Sequence, residues 1–188
     1  MGMQIELLKE VVAIARSAGK AVLEVYESSF SVRAKDDASP VTDADERAHQ
    51  LIVRALETVT PDIPVISEEG AKTDANARFW LVDPLDGTKE FIGRNGEFTV
   101  NIALVEDGRP ALGVVLAPAL GRLFAGAPGI AFVETGGARS TIVCRRPPAE
   151  GLTVLAAAGG QVTTLDGTEL RYGKPGLANP AFVAFSAA

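Results

Sequence analysis

Cysteine is almost missing from this 188-residue chain. Cys144 stands alone, so neither a disulfide framework nor a thiolate metal site can be built from it. Histidine is equally scarce, and with no second imidazole, His49 reads as a helix-surface residue, not a metal ligand or proton shuttle. No apolar run approaches the ~20 residues that a membrane helix needs. The first residues lack the basic stretch and apolar core of a secretory leader. Basic residues are in the minority, 18 against 24 acidic, for a net charge of −6. With an isoelectric point near 4.9, that balance argues against gripping a nucleic-acid backbone but leaves small phosphorylated molecules open as ligands. An apolar fraction of 47% with 22% charged residues excludes a disordered chain. The expectation is a soluble, cytoplasmic, globular protein of one domain, or one domain plus a fragment.

What is present falls into two helices followed by strands. Ile5, Leu8, Val12, Ala15, Val22 and Val25 recur at helical spacing, which predicts an amphipathic helix ending near Tyr26. Residues 28–40 are polar and end in Ser39-Pro40, suiting a loop or an extended excursion. A second helix should start after Thr42, because Thr42 with Asp45 three residues on resembles a capping box. Its buried stripe would be Ala48, Leu51, Ile52, Ala55, Leu56 and Val59, stopped by Pro61. Val65-Ile66 is a short apolar strand, and Phe79-Trp80-Leu81-Val82 is an unbroken apolar run, predicting a strand buried on both faces. Residues 98–105, 112–117, 122–127 and 130–134 read as successive antiparallel strands, with Asp107-Gly108 and Gly136-Gly137 supplying turns. Helix, helix, then a meander of strands is an α+β layered domain. After Pro147-Pro148 the organisation weakens, with short strands expected at 161–165, 168–172 and 181–185. The expected division is 1–150 for a metal-binding domain and 151–188 for the remnant of a second α/β domain.

The chemistry lies where apolar strands end in carboxylates. Asp83 and Asp86 flank a tight turn in which Pro84 fixes one backbone angle and Gly87 permits a sharp exit. Asp83, the Leu85 carbonyl and Asp86 can converge on a hard cation, and Glu68, ending a different strand, can add a third carboxylate. The backbone N–H groups of Gly87 and Thr88 can face an anion. Together these describe metal-assisted phosphate chemistry. The plain alternative is a polar turn, since Asp, Pro and Gly are favoured turn residues. The chain carries its own control: Leu85-Asp86-Gly87-Thr88 recurs as Leu165-Asp166-Gly167-Thr168. The second copy lacks the preceding Asp-Pro and buried run, and reads as a hairpin turn.

Trp80-Leu81-Val82-Asp83-Pro84-Leu85-Asp86-Gly87-Thr88 resembles the signature of the inositol monophosphatase superfamily of Mg²⁺-dependent, lithium-sensitive phosphatases. The stretch from Lys35 through Ser39-Pro40-Val41-Thr42 to Asp45, and Ile66-Ser67-Glu68-Glu69, match two further motifs of that family in the right order. Lys89-Glu90-Phe91-Ile92 and the stretch from Arg94 to Ala103 are similar to its bacterial 3'(2'),5'-bisphosphate nucleotidase branch. The resemblance implies a layered α-β-α-β-α sandwich and two or more Mg²⁺ ions. It implies metal ligation by Glu68, Asp83, the Leu85 carbonyl and Asp86, with Asp83 bridging two ions. Catalysis would fall to Glu68 and Thr88, which orient the attacking water, and to Asp45, which holds the Thr88 hydroxyl. Substrate contacts would come from Glu68, Leu85, Asp86, Gly87 and Thr88. Lys35 resembles a mobile-loop lysine near the site, and Glu69 would point away from it. Peripheral association with the inner membrane is a further implication of the resemblance.

One family motif is absent. The Trp-Asp-x-Ala-Ala that supplies the last metal ligand has no counterpart after Trp80, although residues 157–180 resemble the family's C-terminus. The simplest account is an internal deletion rejoined near Val154-Leu155, truncating the second half. Asp166 and Glu169 fit a hairpin surface better than a replacement ligand. The leading functional reading is hydrolysis of adenosine 3',5'-bisphosphate to AMP and phosphate. Beside it stand an inositol-phosphate-type phosphatase and a catalytically impaired remnant. Base specificity would reside in the missing half, and oligomeric state has no signature here.

Overall fold

The computed structural model describes residues 2–34, 40–70, 77–143, 160–164, 166, 168–172 and 182–186. In chain order the elements are α1 (Gly2–Tyr26), β1 (Val32–Ala34), β2 (Pro40–Thr42), α2 (Asp43–Val59), β3 (Val65–Ser67) and β4 (Arg78–Asp86). They continue with α3 (Thr88–Ile92), β5 (Thr99–Glu106), β6 (Arg109–Ala117), β7 (Arg122–Ala127), β8 (Ile130–Thr135), β9 (Ala138–Thr141), β10 (Gly160–Thr164) and β11 (Phe182–Ser186). Lys35, Cys144, Arg145-Arg146 and the expected rejoining point at Val154-Leu155 lie outside the described residues.

Both long helices form where apolar spacing expects them. In α1, Leu8, Val11, Ala15, Ala18 and Val22 make the buried stripe; in α2, Ala44, Ala48, Ile52 and Leu56 recur every fourth residue, all fully buried. The capping box at the start of α2 is present. The Thr42 hydroxyl accepts from the Ala44 N–H, and the Thr42 N–H donates to the Asp45 side chain. At the other end, the Thr60 N–H caps the Leu56 carbonyl before Pro61 stops the helix. The fully buried Trp80 then donates its indole N–H to the Thr60 hydroxyl at 2.9 Å, tying the end of α2 to β4. Among the described residues no helix is long and apolar enough to cross a membrane.

The main sheet has seven strands in the order β3-β4-β5-β6-β7-β8-β9. Only the β3–β4 pair is parallel; every other pair in it is antiparallel. α1 crosses β5, β6 and β7, while α2 crosses β3 and β4, so the helices share one face in an α+β arrangement. β4 is buried on both faces, as its apolar run expects. Trp80 and Val82 join the helix-side core, whereas Phe79 packs behind the sheet with Ile66, Val105 and Tyr172. Its register against β5 breaks between Asp83, opposite Asn101, and Asp86, opposite Thr99. Three residues of β4 therefore advance against two of β5, and this bulge accommodates Pro84, which has no N–H to give the ladder.

Of the second Leu-Asp-Gly-Thr copy, Asp166 and Thr168 lie within the span of an isolated antiparallel bridge between Thr163 and Glu169, and the strand expected over 168–172 amounts to that bridge. The Thr164 N–H donates to the Thr168 carbonyl, and Asp166 Oδ1 accepts from the Thr168 N–H at 3.1 Å. This stretch docks on the β5–β6 turn through two Arg109–Glu169 hydrogen bonds of 2.8 Å and burial of Leu170. β10 and β11 pair antiparallel in a sheet of their own. Four elements exceed the sequence expectation: β1 and β2, which pair across the polar excursion, α3, and β9, which extends the sheet by one strand. All are short, and β9 is exposed throughout, so none leaves a periodic apolar signal.

Thr42 holds both the start of α2 and its own neighbour Asp45. Thr42→Val should lower the unfolding free energy by about 1–2 kcal/mol, whereas Thr42→Ser should retain most of it. Urea denaturation of the three proteins makes the comparison.

Candidate active site

Parallel pairing of β3 and β4 sets Ser67 opposite Val82, and this is their last pair. The next residue of each is an acid, Glu68 and Asp83, and the Glu68 N–H donates to the Val82 carbonyl at 3.0 Å. The two carboxyl groups share a hydrogen bond, and the charge of Asp86 acts on Asp83 from beyond the bulge. Burial, then the charges of Glu68 and Asp86, push the Asp83 carboxyl up from 3.8 to about 8. The Leu85 N–H, donating to Asp83 Oδ1 at 3.2 Å, pulls the other way without winning. A proton held between Glu68 and Asp83 relieves the repulsion, and a cation would relieve it equally well.

Thr88 opens the short α3 directly after this turn. Gly87 precedes it with φ = +88°, a backbone conformation that favours glycine. A Cβ there would stand 2.9 Å from the Glu97 carbonyl oxygen, so space forbids a side chain as firmly as the torsion does. Phe91 anchors α3 in a buried aromatic cluster with Tyr26, Phe30 and Phe98, ring centroids 4.8–5.1 Å apart. The Arg94 guanidinium lies over Tyr26 and Phe30 and donates to the Ser28 carbonyl at 2.7 Å, fastening the end of α3 to the end of α1.

The Thr88 hydroxyl stands 3.4 Å from Asp45 Oδ1 and 3.3 Å from the Leu85 carbonyl oxygen. Asp45 is 1% exposed, and its Oδ2 accepts both from the Thr42 N–H at 2.8 Å and from the Thr42 hydroxyl at 2.6 Å. One carboxylate thus caps its own helix with one oxygen and reaches the site with the other.

The structure therefore brings Asp83 into electrostatic contact with both Glu68 and Asp86, with Leu85, Gly87, Thr88 and Asp45 nearby. Glu69, expected to point away, is half-buried. Two neighbours of the site were not anticipated. Asn101, in register with Asp83 across the ladder, donates its amide to Asp86 Oδ2 at 3.4 Å. A polar residue between Val100 and Ile102 was the available signal. His49, expected at the helix surface, is instead half-buried with Nδ1 2.8 Å from the Ser67 hydroxyl. Its partner lies 18 residues away on another element, and helical spacing alone does not reveal it.

Every donor here is oxygen, which suits a hard cation that keeps part of its water shell. Among the described residues no three His, Cys, Asp or Glu side chains stand close enough together to hold a metal ion by themselves. A cation here would need the Leu85 carbonyl and water beside the carboxylates, and the repulsion that raises the Asp83 carboxyl would drive its entry.

The sign of that drive can be tested on stability. The unfolded chain ionises Asp83 near 3.8 and the folded chain near 8, so the folded state carries the extra proton between these values. Stability from this group therefore falls as pH rises through that interval and levels off above it. Asp83→Asn removes the penalty. In chelator, the variant should melt about 2–4 °C above the parent at pH 8.5 and close to it near pH 4, as thermal melts would show.

A model of the inositol monophosphatase family matches residues 3–139. The chain is 51% identical over 150 residues to the 3'(2'),5'-bisphosphate nucleotidase CysQ of Salmonella typhimurium, an alignment covering 76% of this chain and 61% of the relative. It is 46% identical over 184 residues to the Escherichia coli K12 protein of the same name, covering 88% of this chain and 75% of that one. It thus spans about three fifths to three quarters of these relatives' lengths. The crystal structure of CysQ from Bacteroides thetaiotaomicron, described as a bacterial member of the inositol monophosphatase family, superposes with a TM-score of 0.79 at 27% identity. That superposition covers 96% of this chain and 97% of the other. Sequence and fold agree with the acid-bearing turn they surround: this chain belongs to the inositol monophosphatase family.

Proposed function

We propose that the chain is a Mg²⁺-dependent phosphomonoesterase that hydrolyses adenosine 3',5'-bisphosphate to AMP and phosphate. The observation that carries the reading is the Asp83 carboxyl, buried against Glu68 and Asp86 and raised to about 8. Such a group weakens the fold unless a proton or a cation relieves it, and groups held in that way cluster at functional sites. The choice of substrate is supported by relatives named as bisphosphate nucleotidases at 46–51% identity. A single cysteine suits the reducing cytoplasm as the compartment of action.

Glu68, Asp83, Asp86 and the Leu85 carbonyl would hold Mg²⁺, as two or more ions. When bound, the cation neutralises phosphoryl oxygens and lowers the pKa of an attacking water. The remaining work falls to the chain's own groups. When the Thr88 hydroxyl donates to Asp45, its oxygen keeps a lone pair with which to accept a hydrogen bond from the water and aim it. Glu68, at the exposed end of the acid pair, takes the proton as the water oxygen bonds to phosphorus. The phosphorus–oxygen bond to the ribose 3'-oxygen breaks, and that oxygen leaves as a hydroxyl with a proton from solvent. The backbone N–H groups of Gly87 and Thr88 would face the phosphate oxygens.

One observation favours a second reading. The Trp-Asp-x-Ala-Ala motif that resemblance leads one to expect is absent, and without its aspartate the chain would bind cation and phosphate without turnover. Phosphate release separates the two. Mg²⁺-dependent release from adenosine 3',5'-bisphosphate is expected, with Asp83→Asn abolishing it. Thr88→Ala should lower kcat about 100-fold with KM nearly unchanged. A folded parent that binds Mg²⁺ and releases no phosphate would decide for the second reading.

A further inference from the structure

We propose that His49 is a positioning residue that fixes the Glu68 carboxylate through Ser67; the inference rests on reading Glu68 as an acid of the site. Asp45 and His49 are four residues apart on α2, so they lie one above the other on the same flank of the helix. Asp45 reaches Thr88, and one turn further on His49 reaches β3. α2 thereby touches both chain segments that carry the site.

The contact with β3 has two components. His49 Nδ1 lies 2.8 Å from the hydroxyl of Ser67, a residue only 8% exposed and next in sequence to Glu68. Ser67 also begins a tight turn, its carbonyl accepting from the Gly70 N–H at 3.0 Å. The imidazole packs under that turn: a Cβ at Gly70 would stand 3.4 Å from His49 Cε1, in van der Waals contact. Glu68 projects from this turn, tied by its own N–H to the Val82 carbonyl. The ring therefore supports the Ser67–Glu68 junction from below while β4 holds it from the side. A histidine in this position acts on the site without touching substrate or cation. Its removal should loosen the carboxylate, a class of change that commonly weakens metal binding 10–100-fold.

Four proteins besides the parent test this: His49→Phe, His49→Asn, Ser67→Ala and the His49→Phe/Ser67→Ala double variant. Phenylalanine keeps the ring and loses the hydrogen bond, and asparagine keeps a polar nitrogen near the δ position. Mn²⁺ binding to each protein is measured by its electron paramagnetic resonance signal, alongside melting in chelator and steady-state kinetics. His49→Phe and Ser67→Ala should each raise the Mn²⁺ Kd about tenfold. The double variant should be no worse than either, because both break one link. His49→Asn should recover most of the affinity, and kcat should fall with KM for the nucleotide little changed. Unaltered Mn²⁺ affinity in His49→Phe would overturn the proposal. So would additive losses in the double variant, or losses that merely follow melting temperature. A parent that binds Mn²⁺ but releases no phosphate removes the phosphatase reading alone, and the binding comparison still decides on His49.

Discussion

A carboxyl group that burial and its neighbours keep from ionising is the constraint around which this chain is arranged. Asp83 follows the apolar run of a strand packed on both faces, where Trp80 and Val82 face the helices and Phe79 faces the opposite cluster. Glu68 and Asp86 stand beside it with the same charge. Core packing delivers the acids to one place, and electrostatics opposes their being there. Two of the three acids come directly after the last parallel pair of β3 and β4, and the third follows the bulge that accommodates Pro84. The same geometry that raises the Asp83 pKa underlies the proposal that a cation enters beside it.

α2 converts helix stability into site geometry. Asp45 completes the capping box with one oxygen and approaches Thr88 with the other, so the bond that starts the helix also sets the reach toward the Thr88 hydroxyl. One turn later His49 supports the strand end that carries Glu68. The aromatic cluster around Phe91, clasped by Arg94, steadies α3 from the far side. The acids are thus held by packed elements on several sides, as a site needing fixed geometry requires.

Most of this frame is legible in residue order because it rests on local rules. Four-residue spacing marks α2, Thr42 with Asp45 marks its cap, and the unbroken run before Asp83 marks a strand buried twice. The repeated Leu-Asp-Gly-Thr shows the value of context: the first copy follows an apolar run and lies at a bulge in the main sheet, whereas the described residues of the second lie beside an isolated bridge. What escapes is cross-chain pairing. Nothing local to His49 points to Ser67, and nothing local to Asn101 points to Asp86, because register between strands and the packing of α2 decide both. The two uses of Asp45 are legible by different routes: the cap is a local signal, whereas the partner 43 residues away, Thr88, is expected only from the family resemblance.

Proton release on cation binding tests this account most directly. If Asp83 holds a proton until a cation replaces it, adding Mg²⁺ to the metal-free protein at pH 7 in a weakly buffered indicator solution should release up to about one proton per chain at that group. The release should shrink toward zero above pH 9 and disappear in Asp83→Asn. Mg²⁺ binding with no proton release at pH 7 would contradict it, because the site would then have been ionised all along.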